Sequence, residues 1–457
     1  MKPRPSDQEQ PQGELFKVEL QRLIDLQDPL VSLAAQINWE QLEVTFGALY
    51  HPTLGAPGVA TRLMVALHYL KYAHDLSDEE TLERWRHSPY WQYFSGGKWF
   101  ELARPVEASS MTRWRNRLAE HNLESLLAEL LQTGLRLKVI TPGELEKVNV
   151  DTTVQPKAIR FPTDARLYER MRTRLVVMAR REGIVVARPW SRKARHAFYW
   201  QSRYARVRQF KRAQAEASKL KLYLGRVQRQ ILKRSGSCSV LLRELLVLSD
   251  RLLAQKRHDQ NKLYSVHEPQ VECLSKGKAH KRYEFGCKAG LVTSAQSNWV
   301  LGAQAFHGLP YDGHTLGAAL AQTSRLSGHP VQQATGDQNY RGHKLTHPSV
   351  LIVKPGEKGL SKKVKKWCQR RSAIEPIIGH LKAEHRLERN RLKGRRGDQI
   401  NVVLSACGFN LRKLLRALAL LGRSFWRFFF NAWGWPKTKA NAVTRRWLPQ
   451  ALQTLYP

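Results

Sequence analysis

The sequence predicts an α/β protein, a mixed sheet flanked by helices, with an all-helical region before it and a long helical insertion within it. Three observations carry this reading. Apolar residues recur at three and four up to about residue 140, the period changes to two from Glu146, and strand-like and helix-like segments alternate after residue 282.

Residues 1–140 read as a succession of short helices. Residues 59–72 show the helical recurrence, and Ser77 with Glu80 makes a capping box at the head of the next segment. Residues 107–118, EASSMTRWRNRL, read as a further capped helix. Its Arg113, Arg115 and Arg117 either face a duplex, as the later part of a helix-turn-helix does, or form an ordinary solvated basic face. This region is expected to be a helical DNA-binding domain that also serves dimerisation.

From Glu146 the alternation of Val148, Val150, Thr152 and Val154 with Asn149, Asp151 and Thr153 describes a half-buried strand, with Asp151 on the face opposite the valines. The block after it, residues 161–261, is helical and basic: 22 Lys/Arg stand against 4 Asp/Glu between Arg160 and Arg234. Helical periodicity is clearest at 203–233 and 240–261, separated by Ser235, Gly236 and Ser237. This predicts a basic helical hairpin inserted into the sheet domain, able to track a DNA backbone. The sheet domain then occupies 141–160 and 262–400. Strands are expected at 282–294, 298–306, 331–336 and 350–354, a helix at 314–326, and a helix carrying Glu375. Three consecutive strands followed by α/β alternation is the order of the RNase H-like fold. Residues 401–457 form a C-terminal helix and an aromatic, basic tail, whose run FWRFFFNAWGW (425–435) suits packing against another domain or subunit.

Charge narrows the function. The 457 residues carry 76 Lys+Arg against 38 Asp+Glu, a formal +38, and such a chain calls for a polyanion, nucleic acid before an anionic membrane. With 42% hydrophobic residues it can bury real cores. The N-terminus has no apolar signal core, and the apolar stretch 411–421 is broken by Arg412, Lys413 and Arg416, so a cytoplasmic, nucleoid-associated protein without a membrane span is expected. Five widely spaced cysteines without a CxxC indicate reduced thiols, and His307, His314, His343 and His347 read as solvated or hydrogen-bonding side chains.

Where acid is scarce, Asp151, Asp337 and Glu375 stand out. Asp151 in the first strand and Asp337 at the end of the fourth become neighbours if those strands are adjacent, and Glu375 comes from the following helix. Such carboxylates suit hard divalent cations in phosphodiester cleavage. Each also has a local reading: Asp151 and Asp337 as turn formers, Glu375 as the partner of Ser372 in a capping box. At 100° per residue Glu375, Lys382 and Arg386 share one helix face, an acid flanked by cations. The basic turn 389–396, with Lys393, Arg395 and Arg396, is a further candidate for phosphate contacts.

The segment RRSAIEPIIGHLK (370–382) resembles the signature Tyr-x2-Arg-x3-Glu-x6-Lys of bacterial insertion-sequence DDE transposases of the four/five superfamily, insertion-sequence-five-like group. Arg371, Glu375 and Lys382 match, and Cys368 stands at the tyrosine position. VNVDTTV around Asp151, GDQNYRG around Asp337 and YSVHEPQVECLSKGKAHKRYEFG between them resemble the family's other blocks, and the N-terminal helical region resembles its amino-terminal domain. The resemblance implies a DNA transposase in which Asp151, Asp337 and Glu375 bind two Mg²⁺ ions, with Mn²⁺ able to substitute. It implies cutting at terminal inverted repeats and joining of the freed 3′ ends to target DNA, by a homodimer or higher oligomer on double-stranded DNA. Arg371 and Lys382 would hold phosphates, and Tyr340 would stack on a base near the cut or belong to the core. A catalytically inactive DNA-binding derivative and a stand-alone nuclease of the same fold are the alternatives.

Overall fold

The computed structural model describes residues 2, 17–51, 57–118, 120–234, 238–256, 258–260, 262–275, 282–343, 345–346, 349–352 and 361–432, with side chains up to 421 except at 120, 121, 363 and 364. The aromatic run 425–435, Ser235–Ser237 and His347 lie outside the described side chains or residues.

The chain opens with short helices, α1 (Leu20–Leu23), α2 (Pro29–Gln36), α3 (Trp39–Gly47), α4 (Thr61–Ala73), α5 (Asp78–His87), α6 (Pro89–Phe94), α7 (Ala108–Arg115), α8 (Glu120–Arg136) and α9 (Pro142–Leu145). The capping box at α5 is formed in full: Ser77 Oγ accepts from Glu80 N and a Glu80 carboxylate oxygen accepts from Ser77 N.

Strand β1 (Lys147–Pro156) follows. Both of its faces are covered rather than one: Val148 and Val150 are buried, and so are Asn149, Thr153 and Gln155 on the other side. The polar side chains mimic the alternation of a half-exposed strand, but they are buried because they find partners. Asn149 Nδ2 donates to the Arg370 carbonyl (3.0 Å), and Gln155 Nε2 donates to that of Asp398 (3.1 Å).

The insertion is not a hairpin. It comprises four helices, α10 (Asp164–Arg181), α11 (Ser191–Arg206), α12 (Phe210–Leu232) and α13 (Val240–Ala254). The run expected as one helix over 203–233 breaks at residues 207–209, where Arg208 takes φ +58°. These helices bury a core of their own, built on Met171, Leu175, Leu224, Val227 and Leu246.

The chain returns through β2 (Glu272–Leu274), a strand that periodicity does not mark but that lies in the block 264–286 resembling the family's strands, and the hairpin β3 (Glu284–Ser294) and β4 (Val300–Phe306). Helix α14 (Asp312–Ser327), strand β5 (Gln333–Gly336), β6 (Ser349–Ile352), α15 (Lys362–Arg371), α16 (Ile374–Glu384) and α17 (Gly394–Ala432) complete the order. Strand β3 runs antiparallel to β1 along its length and pairs on its far side with β2 and β4. On the other side of β1 lies β5, parallel to it, and then β6, parallel to β5. Among the described residues the result is a mixed, six-stranded sheet with helices around it.

The N-terminal helices and the sheet share one continuous core, which α17 ties together. Gly408 lets α17 cross α4 closely, since a Cβ there would lie 2.5 Å from the Tyr72 backbone. Asn401 accepts from the Tyr72 hydroxyl (2.9 Å), and Asn410 bonds both the N–H and the carbonyl of Val300 in β4. At the root of the insertion the buried Lys157 ammonium donates to Asp398 (2.6 Å) and lies 3.3 Å from Glu268.

Candidate active site

The parallel register of β1 and β5 ends with Asn149 opposite Thr335. Asp151 and Asp337 each lie two residues further on, at the same level of the sheet. Asp151 is the one partly exposed position among the buried residues 148–155 of β1. Its Oδ1 accepts from Thr152 N (2.7 Å). Asp337 caps the turn Gln338–Tyr340, accepting from Asn339 N (3.0 Å) with Oδ1 and from Asn339 Nδ2 (3.1 Å) with Oδ2. The turn-forming reading of Asp337 is thus correct, and it leaves the carboxylate at the strand end.

Glu375 sits in the first turn of α16, where Pro376 is tolerated because its missing N–H has no helical partner. The expected capping box is not formed. The N-cap is Ala373 without a side-chain bond, and Ser372 Oγ donates to the Gln369 carbonyl instead (2.6 Å). The Glu375 carboxylate is therefore turned to another task.

That task centres on Arg371, the last residue of α15, placed over the sheet by the Asn149–Arg370 bond. Its Nη2 lies 3.0 Å from Asp151 Oδ2 and 3.6 Å from Asp337 Oδ2, and its Nη1 lies 3.2 Å from Glu375 Oε1. One guanidinium thus touches all three acids, while its Nε is buried with no hydrogen-bond partner. Exposure is graded: the side chains of Arg371 and Asp151 are 15% exposed, Asp337 26% and Glu375 62%. A mostly buried pair on the sheet faces an open carboxylate on the helix. Oxygen donors from three elements around one cationic centre fit a hard divalent ion.

Other candidates fall elsewhere. Tyr340 is 1% exposed and belongs to the core, where its ring packs on Gly336, so it offers no face to a base. Burial, and then the charges of Asp151, Asp312 and Asp337, push its phenol well above the ordinary range. Arg386 is not on the α16 face, because the helix ends at Glu384; it adopts φ +66° and donates to the Asp75 carbonyl (2.9 Å). Lys382 lies about two turns from Glu375 along α16, and it borders a groove with Arg282, Arg386, Arg389 and Arg391. Arg115 is buried, paired with Asp78 through both Nη atoms (2.8 and 2.6 Å), so it cannot face a duplex. Arg113 is exposed beside Ser110, and Arg117, beyond the end of α7, lies over the Tyr50 ring. Lys393 and Arg395 are exposed, whereas Arg396 donates to the Leu118 carbonyl.

Two features escaped sequence reasoning. Asp312, in the first turn of α14, accepts at Oδ1 from Thr152 Oγ1 (2.9 Å) and Lys288 Nζ (2.7 Å), a fourth carboxylate next to the β1 acid strand. Its position at a helix start after Pro310 was the available signal. Cys287, His307 and Asp398 converge within 4.8 Å, which no sequence spacing discloses. His307 makes no hydrogen bond through either buried ring nitrogen; its Nε2 lies 3.7 Å from an Asp398 carboxylate oxygen, and burial lowers its pKa.

The acids and their scaffold define a class that comparison makes explicit. A family profile described as a transposase domain matches residues 18–117, and one described as a transposase DDE domain matches 332–415, which contains Asp337 and Glu375. An uncharacterised protein, ORF8 in the nfe locus of Rhizobium meliloti, is 46% identical over 207 residues, 45% of this chain and all of that protein. No solved structure matches. The chain belongs to the insertion-sequence DDE transposases, enzymes of DNA transposition that generally use divalent metal ions.

Proposed function

We propose that this chain binds the terminal inverted repeats of its own element, cuts there by metal-dependent hydrolysis, and joins the 3′ ends to target DNA through an RNase H-like domain. The observation that carries the reading is the convergence of Asp151, Asp337 and Glu375 on one cation, the Arg371 guanidinium. The sheet order, with β5 parallel to β1 and β3 antiparallel to it, supports the fold assignment.

Two divalent ions, Mg²⁺ or Mn²⁺, held by the three carboxylates would activate the attacking oxygen and stabilise the leaving one. The protein's own groups do the rest. Asp151 and Asp337 are fixed by backbone and side-chain N–H donors, so they form the rigid side of the site. Glu375, on the helix and open to solvent, completes it. Arg371 offsets part of the acids' charge in the DNA-free protein, and its five-donor fork is free to turn to a phosphate oxygen once other cations take its place. In the first step water bonds to phosphorus and the bond to the 3′ oxygen breaks. In the second that 3′ hydroxyl gives up its proton and bonds to a target phosphorus, and the bond from that phosphorus to the target's own 3′ oxygen breaks, leaving a protonated 3′ hydroxyl on the cut target strand. No covalent enzyme intermediate is required.

The test is cleavage and joining of DNA carrying the element's terminal repeats by the purified chain with Mg²⁺ or Mn²⁺. Activity that is lost in Asp151→Ala, Asp337→Ala and Glu375→Ala supports the reading. No cleavage by the unaltered chain, or equal cleavage by the variants, overturns it.

A further inference from the structure

Helix α11 keeps only small residues fully buried and brings several aromatic rings to the edge of solvent. Its fully buried residues are Ala194 and Ala197, and Phe198 packs partly buried against the insertion's core, while Tyr199 is exposed and Trp200 and Tyr204 are half-buried. Tyr199 is 53% exposed, and at the turn into α12 Val207 and Phe210 are 62% and 66% exposed. An amphipathic helix made only for packing puts its aromatics inside and its small residues where they cost least.

The outward face has internal order. Trp200 stacks on Tyr204 at 5.5 Å and 27°, meets Tyr199 edge-on at 5.5 Å, and donates from Nε1 to His196 Nε2 (3.0 Å). Arg203 lies over Tyr199 and Trp200, and Arg212 from α12 lies over Tyr204, all within 6 Å of the ring centroids. Charge is one-sided: from Gly183 to Ala215 the chain holds nine Lys/Arg and no Asp/Glu. A face that only dissolves the protein mixes charges and carries few aromatics.

We infer that the α11–α12 elbow is a second DNA-contact surface, separate from the acids, which takes unpaired nucleotides: Tyr199, Trp200 and Tyr204 stack on bases while Arg203, Arg208 and Arg212 hold phosphates. The occupant follows from the chemistry. Nine cations without an acid select a polyanion. Phosphate contacts alone need no aromatic ring, and in a duplex the base faces are already covered by their neighbours. Rings that reach solvent, Tyr199 most of all, gain from a base face that is free, as on single strands. The inference rests on the reading that the chain acts on DNA, and it adds where unpaired DNA is held.

The experiment uses the full chain in EDTA, so that its outcome does not depend on cleavage. Fluorescence anisotropy measures binding of a single-stranded oligonucleotide and of the paired duplex of the same sequence. Replacing Trp200→Ala with Tyr204→Ala should weaken single-strand binding about tenfold, the scale of a lost base stack, and leave duplex binding within about twofold. The single variant Trp200→Phe, which keeps a ring, should retain the single-strand affinity, and thermal melting confirms that each variant is folded. Unchanged single-strand binding, an equal loss on both DNAs, or a Phe variant as weak as the Ala variant would each overturn the inference. So would tighter binding to phosphatidylserine vesicles than to either DNA. If the chain fails to cut its element ends yet shows the expected ring dependence, the proposed reaction falls and the elbow surface stands.

Discussion

Arg371 and an incoming divalent ion act on the same three carboxylates, so they compete. Removing the guanidinium without changing the acids should therefore tighten metal binding in the DNA-free protein. Arg371→Gln is expected to bind Mn²⁺ about tenfold more tightly by titration calorimetry, roughly 1.4 kcal/mol; equal or weaker binding would mean that the acids are not a metal site held closed by Arg371. A different set of residues sets the acid limit of stability. His68 is fully buried: its Nδ1 donates to the Met64 carbonyl (2.7 Å), and its Nε2 accepts from Arg115 (3.1 Å). Burial, aided by Arg115, pushes it down to about 3; burial also takes His74 to about 3 and His385 to about 4. The folded protein keeps these rings neutral, while the unfolded chain takes up protons below the ordinary 6.5, so stability is lost as pH falls from 6.5 toward 3. The urea midpoint should drop between pH 7 and pH 5, and His68→Gln should flatten that drop. At this scale the three acids were legible, because carboxylates are scarce and one lies at a strand end. The burial of Tyr340 and Arg115 was not, since it depends on Gly336 and Asp78, partners that local sequence does not assign.

Strands and helices with a clean period were legible, and those interrupted by conformation were not. β1, β3, β4 and α14 fall within a few residues of expectation, because their apolar patterns keep one period throughout. Within the insertion the break before α12 was hidden, since it uses Arg208 at positive φ, not Gly or Pro, whereas Gly183 and Pro189 mark the one before α11. The face assigned to Glu375, Lys382 and Arg386 assumed that α16 continues; it stops at Glu384, and the chain turns so that Arg386 meets Asp75. The crossing of α4 and α17 gives a sharp test of packing between elements. Gly408→Ala places a methyl 2.5 Å from the Tyr72 backbone, which cannot yield as a side-chain end can. Overpacking of this kind costs about 1–3 kcal/mol, and the melting temperature should fall accordingly.

Across the whole molecule, the continuity of the N-terminal helices with the sheet was invisible to local periodicity, because it depends on residues in the seventies meeting residues after 400. The excess of cations was plain in the composition, and it carries a test of its own. If DNA is held by about 6–10 phosphate contacts, affinity should fall by roughly 10³–10⁵ between about 50 and 200 mM salt, measured by filter binding; a flat response would exclude backbone contacts as the main source of affinity. The route of the chain through the sheet has a consequence for synthesis. β1 ends at Pro156, and its long partner β3 does not begin until Glu284. At about 5–20 residues per second, a ribosome needs roughly 6 to 26 seconds to make that interval. Throughout it, a strand destined to be covered on both faces and both edges has no partner to pair with. The insertion, with its separate core, occupies most of that wait as a unit that can fold while β1 is still alone. A nascent chain stalled inside α10–α13 should then be the form most prone to capture by chaperones.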